Sequence, residues 1–152
     1  MSKNEFDFAN KPKGVLPFHK YSSHVATPIE EHLNEAVAYA SSNQKAHLHF
    51  TVSEEHQSDF EKIVEKVKAK IETASETEIY VYYSYQDKST DSIALDFDNN
   101  FFREDNESLV FRPGGHGALI QNLNSLDADV IFIKNIDNVI QNHIEEISLY
   151  KK

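Results

Sequence analysis

The chain has 152 residues, 15 basic and 25 acidic, for a formal charge of −10 and a pI near 5.2. So acidic a balance argues against non-specific binding of nucleic acid or anionic lipid, which clustered Lys and Arg drive. With 39% hydrophobic residues, no cysteine, no apolar run near the ~20 residues of a membrane span and no basic-then-apolar leader, a single cytoplasmic globular domain is expected, without disulfides or thiol chemistry.

The first 24 residues are largely polar, with Val15-Leu16-Pro17-Phe18 as a short apolar piece, which predicts a loop passing into a brief extended segment. Thr27-Pro28-Ile29-Glu30 then reads as a helix start: a Thr cap, Pro in the first helical position and Glu completing a capping box. Ile29, Leu33, Ala36, Val37 and Ala40 follow on one helical face. Alternation over residues 47–52 predicts a strand with Leu48, Phe50 and Val52 on one side. Ser53 is placed to cap a second helix with Glu54 and Glu55 in its first turn, burying Phe60, Ile63, Val64, Val67 and Ile71. Its lysines and glutamates then form a solvated face.

Residues 79–85, Ile-Tyr-Val-Tyr-Tyr-Ser-Tyr, predict a strand covered on both sides. Two short strands, 93–95 and 109–111, flank a polar loop around Asp98-Asn99-Asn100. A glycine-rich turn, residues 113–117, leads into helical spacing at Leu119, Ile120, Leu123 and Leu126. Val130-Ile131-Phe132-Ile133 then predicts a buried parallel strand, with a last helix from Asn138. The alternation implies a Rossmann-like α/β sheet with an inserted β-hairpin.

The charge is uneven. Residues 54–107 carry fifteen acids and six bases, whereas 1–53 carry five of each and 108–152 five acids and four bases. The chain ends are thus near neutral, and an anion is not repelled there at short range. Three groups in those ends carry chemistry. Gly114, Gly115 and Gly117, with Arg112 and His116 beside them, can let backbone N–H groups approach an anion, or can simply make a tight turn with positive φ. Asp137, past the apolar run at 130–133, can hold magnesium that also bridges phosphate oxygens, or cap the following helix. Lys11 and Lys13 are available as point charges for phosphate, or as solvated lysines. His47 and His49 share one side of their strand as possible metal ligands, or as hydrogen-bonded, partly buried histidines; no third ligand stands at a recognisable spacing. No G-x-S-x-G elbow accompanies the scattered His and Ser residues.

Taken together, Lys11-Pro12-Lys13-Gly14-Val15-Leu16-Pro17-Phe18, Thr27-Pro28-Ile29-Glu30, Arg112-Pro113-Gly114-Gly115-His116-Gly117 and the run from Val130 to Asn138 resemble segments of the nucleotide-sugar pyrophosphorylases, which are GT-A-like nucleotidyltransferases. The phrases starting at Pro12, Thr27, Ser89, Phe111 and Asp127 are closer still to an uncharacterised bacterial group, the domain of unknown function family 4301. The resemblance implies that Lys13 contacts phosphate, that Gly114 to Gly117 face nucleotide base or sugar, that Asp137 holds magnesium and that Gln86, closing its strand, has a lesser substrate role. The implied reaction is attack of a sugar phosphate on the α-phosphorus of a nucleoside triphosphate, as in uridylyl transfer.

Such enzymes open on a strand and a glycine-rich loop, and nothing before Lys11 matches them. The chain therefore resembles the middle portion of a nucleotidyltransferase-like protein, an incomplete single domain not fully active alone. The alternative is a non-catalytic nucleotide- or sugar-phosphate-binding module, or one part of a split protein. Loss of an interior strand leaves strand edges unpaired. Self-association, pairing with a missing N-terminal segment, or a rearranged compact sheet is then expected.

Overall fold

In the computed structural model, which describes residues 11–141, the Thr27 hydroxyl accepts from the Glu30 N–H at 3.3 Å and opens helix α1, Pro28–Tyr39. The Glu30 carboxylate turns to His24 Nε2, 2.9 Å away. Ahead of the helix, a 3₁₀ turn at Lys13–Val15 precedes a small antiparallel hairpin, β1 (His19–Lys20) and β2 (Val25–Ala26).

After α1 the chain reverses through β3 (Ser41–Ser42) into β4 (Lys45–Thr51). Asn43 and Gln44 between them both have positive φ, the backbone that lets a two-residue turn follow the twist of its strands. A 3₁₀ turn at Glu54–His56 leads into α2, Gln57–Ser75, and then into β5, Glu78–Ser84, which lies parallel to β4. The pairing of Ala46 with Ile79, Leu48 with Val81 and Phe50 with Tyr83 turns these residues and Val52 toward both helices. There they pack with Ile29, Leu33 and Ala36 of α1 and Phe60, Val64 and Ile71 of α2. The period-2 and period-3.6 patterns of the sequence thus meet in one core.

Three expectations are corrected. Ser53 makes no side-chain cap, because the 3₁₀ turn intervenes before α2. β5 is covered on one face only: Lys45, His47 and Tyr82 on the other are exposed, and their polar atoms and rings satisfy one another. His47 stacks between Tyr80 and Tyr82, with ring centroids 4.9 and 5.9 Å away. The run 130–133 belongs to no strand among the described residues; Val130 and Ile133 are each 72% exposed. A parallel strand needs a neighbouring edge, and this run instead rests the Phe132 ring against Tyr39, centroids 5.1 Å apart.

The result is a mixed α/β structure whose sheets are small. β4 and β5 form the one parallel pair among the described residues, and the pairs β1/β2 and β3/β4 are antiparallel. The expected Rossmann-like, mostly parallel sheet is not found among the described residues, where parallel pairing is confined to a single β–α–β unit. The inserted hairpin is present but more elaborate: β6 (Ser92–Ile93) pairs with β7 (Phe111–Arg112), and a third segment, 100–104, folds back between them. The expected helix after the glycine turn is a 3₁₀ turn, His116–Leu119, continued by α3, Ile120–Asn124. The last expected helix lies largely outside the described residues.

Candidate functional site

The two residues singled out for phosphate and magnesium, 124 positions apart, meet in space. Lys13 Nζ lies 2.8 Å from Asp137 Oδ2. The reason is a packing constraint on Gly14, which is buried: a Cβ there would come 2.8 Å from the Phe60 ring and 3.1 Å from Ile136 Cγ1. Only glycine lets the 3₁₀ turn press this closely on both. Phe60 sits in the first turn of α2, which follows the carboxyl end of β4. The pair therefore lies beside the carboxyl end of a parallel strand, where open α/β sheets place ligands.

Helix α1 holds the Asp137 side of this arrangement. Glu35, 2% exposed, ion-pairs with Lys134 and accepts from the Ile140 N–H at 2.6 Å. One turn back, His32 Nε2 donates to the Ile136 carbonyl at 3.0 Å. Burial holds the His32 pKa below its ordinary value, outweighing that hydrogen bond. Residues 134, 136 and 140 are thus fixed on both sides of Asp137. Glu31, also buried, plays a parallel part at the other chain end, accepting from the Tyr21 hydroxyl at 2.7 Å with His19 Nδ1 2.8 Å away.

Lys13 and Asp137 themselves face solvent, with side chains 72% and 41% exposed. The hydrogen bond from Lys13 holds the Asp137 carboxyl below the usual carboxylate range, and the same contact raises the lysine. Exposed ion pairs contribute little stability. This one keeps an anionic oxygen ligand and a cationic donor side by side and accessible. Magnesium keeps several waters and takes phosphate oxygens alongside one or two carboxylates; the carboxylate available for it here is Asp137, whose Oδ2 accepts from Lys13. Among the described residues no cluster of three metal-ligating side chains occurs.

The glycine turn differs from expectation. None of its glycines has positive φ. Gly114 is required for packing, since a Cβ would lie 2.7 Å from the Thr90 carbonyl oxygen and 3.0 Å from Ala118 Cβ, whereas Gly115 and Gly117 face open space. Gln86 Nε2 is 3.6 Å from that same Gly114 Cβ position and donates to Asp91 at 3.2 Å. Arg112 lies in β7 and His116 in the 3₁₀ turn, both exposed. This group lies past the carboxyl end of β5, fastened by Asn122, which donates to Ser84 Oγ at 2.8 Å and to the Tyr85 carbonyl at 2.7 Å. The glycine group thus follows the carboxyl end of β5, and the Lys13–Asp137 pair adjoins the first turn of the helix that follows β4. His49 Nε2 lies 2.8 Å from Ser84 Oγ, and His47 is engaged with two tyrosines, so the two histidines follow the hydrogen-bonded alternative.

Sequence reasoning did not find Glu31, His32, Glu35 or Asn122. Glutamates are ordinary in helices, at the first turn as Glu31 or further along as Glu35, and no local pattern marks these two as buried.

A family model matches residues 1–152, and the chain belongs to the family described as domain of unknown function (DUF4301). No curated protein and no solved structure matches it. Among the described residues no helix is long and apolar enough to cross a membrane.

Proposed function

We propose that the chain is a nucleotidyltransferase-like domain that binds a nucleotide or sugar phosphate together with magnesium, with Lys13 on the phosphate and Asp137 on the metal. The observation that carries this is the meeting of Lys13 and Asp137 beside the carboxyl end of β4. Bound magnesium supplies charge neutralisation at the phosphate oxygens. Lys13 adds a second positive charge, and Glu35 and His32 hold the segment that presents Asp137. In the implied reaction a sugar-phosphate oxygen bonds to the α-phosphorus of a nucleoside triphosphate. The bond to the bridging oxygen breaks, and pyrophosphate leaves. Chemistry of this kind rests on positioning and charge, without a protein nucleophile. Arg112, His116, Gln86 and the glycines at 114, 115 and 117 are then the nucleotide side of the site.

A binding module, or one part of a split protein, is favoured as the second reading by the sheet. Beyond Ala46, β4 has β5 as its neighbour and no second strand among the described residues, and the apolar run 130–133, which rests Phe132 on Tyr39, lies exposed. A further strand pairing there, from another segment or a second copy, would complete a larger Rossmann-like sheet.

Calorimetry with UTP, ATP, GTP and CTP, with and without magnesium, tests the proposal. Magnesium-dependent binding of at least one nucleotide is expected, weakened at least about tenfold, or ~1.4 kcal/mol, by Asp137→Asn or Lys13→Ala. Absence of nucleotide binding overturns it, and equal affinity in Asp137→Asn returns that residue to a structural role. Where binding occurs, pyrophosphate release with a panel of sugar 1-phosphates separates enzyme from module.

A further inference from the structure

Residues 92–112 form a projection with almost no core of its own. Three chain segments are closed by a ring of backbone hydrogen bonds: Ala94 N–H to the Val110 carbonyl at 2.8 Å, Val110 N–H to Phe102 at 3.1 Å, and Phe102 N–H to Ala94 at 2.8 Å. Two tight reversals, with Asn99 and Glu107 in positive φ, join them. Within the projection only Ala94 is buried. Ile93, Leu95, Phe97, Phe101, Phe102 and Phe111 are all exposed, Phe97 completely so.

Single exposed apolar residues are ordinary, but such a concentration marks an interaction surface. Apart from Arg112 at its base, the sugar- or nucleotide-phosphate chemistry above does not use it. Its charge narrows the occupant. Asp96, Asp98, Glu104, Asp105 and Glu107 stand among the aromatics against Arg103 and Arg112, and the Arg103 guanidinium is already donating to the Glu107 carbonyl. Two copies meeting through this face would oppose five acids with five acids, and the remainder of the chain is acidic too. Anionic lipid and nucleic acid are repelled for the same reason. A surface both apolar and negative complements one that is apolar and positive.

We propose that the projection at residues 92–112 is a docking surface for a partner protein that presents an amphipathic segment with aliphatic side chains bordered by Lys or Arg. The aromatic rings supply buried area, and the acids supply orientation and a salt-sensitive association rate.

The probe is a synthetic amphipathic peptide of leucine and lysine, titrated into the isotopically labelled chain by NMR and by calorimetry at low and high salt. Resonances of Phe97, Phe101 and Phe102 should shift. The double variant Phe97→Ser/Phe101→Ser should weaken binding at least about tenfold, as expected for interface anchors. A peptide with serine in place of leucine, and one with glutamate in place of lysine, should each bind far more weakly. Equal affinity of the serine double variant, or shifts spread instead over the acids of α2, would show plain charge attraction and overturn the proposal. A dimer in sedimentation that the double variant abolishes would also overturn it, because the face would then belong to a second copy. Should the double variant misfold, replacing residues 93–111 by a two-residue turn between Ser92 and Arg112 removes the surface whole, and unchanged affinity there has the same meaning.

Discussion

Residues 27–84 and residues 85–141 are similarly supplied with large apolar side chains, yet they use them in opposite ways. In the first region Ile29, Leu33, Leu48, Phe50, Phe60, Val64, Ile71 and Ile79 are buried between two helices and a sheet. In the second, Ala94 and Val139 are the buried hydrophobics, while Phe97, Phe101, Phe111, Val130 and Ile133 are exposed. The second region is held to the first by polar fastenings: Lys134 on Glu35, Asn122 on Ser84, and the His32 ring on the Ile136 carbonyl at 3.0 Å. Apolar periodicity predicts burial only where the chain also supplies a second element to bury against; elsewhere directional contacts decide what lies where.

Substitutions that attack each kind of support sharpen this contrast. Leu33→Ala, in the fully buried centre of α1, should cost about 2–5 kcal/mol and lower the denaturation midpoint of the whole chain. Glu35→Ala should be comparable, about 3 kcal/mol, because it strands the partly buried Lys134 and the Ile140 N–H. Its signature differs, however: hydrogen exchange should accelerate first over 134–140. Exchange rising equally throughout the chain would mean that Glu35 belongs to the common core. Gly114→Ala should cost about 1–3 kcal/mol, because its Cβ meets the Thr90 backbone. Gly115→Ala and Gly117→Ala should stay within about 0.5 kcal/mol of wild type; thermal melts of the three separate packing from turn conformation.

His32 gives a smaller, pH-dependent effect. Its folded-state pKa is depressed by burial, so the unfolded chain binds more protons at mildly acidic pH, and stability rises with pH there. The stabilisation is fully present above the ordinary histidine pKa of about 6.5 and is lost as pH falls toward the depressed folded value. His49, also lowered by burial, acts in the same direction. Denaturant melts from pH 7 to 5 should show a shallower loss in His32→Gln than in wild type, and an identical slope would remove His32 from the account. Least of all, Tyr83→Phe should be neutral or stabilising by about 1 kcal/mol. The Tyr83 hydroxyl is buried without a hydrogen-bond partner among the described residues, and burial pushes its pKa up to about 12.

The legible part of the molecule is the part built on repeated spacing. Thr27-Pro28 fixed a helix start, alternation at 47–52 fixed a strand face, and the apolar series from Phe60 to Ile71 fixed the inner side of α2. Lys13 and Asp137 were recognisable singly, each by type and setting. That they touch depends on Gly14 fitting against Phe60 and Ile136, a close approach no local pattern encodes. Three things escaped for the same reason. The open face of β5 is aromatic enough to read as buried, the run 130–133 has strand composition but pairs with no edge among the described residues, and Glu31 and Glu35 look like ordinary helical acids. In each case the outcome depends on what lies opposite in space.

The ring of hydrogen bonds in the projection has one further consequence. The chain enters through Ser92 and leaves through Arg112, which are paired across β6 and β7, and Gly114 closes against Thr90 just outside that pair. The projection is thus a side branch with a sealed base, topologically removable and exchangeable. Its length and composition can be rewritten by design while the core of α1, α2, β4 and β5 keeps its own packing.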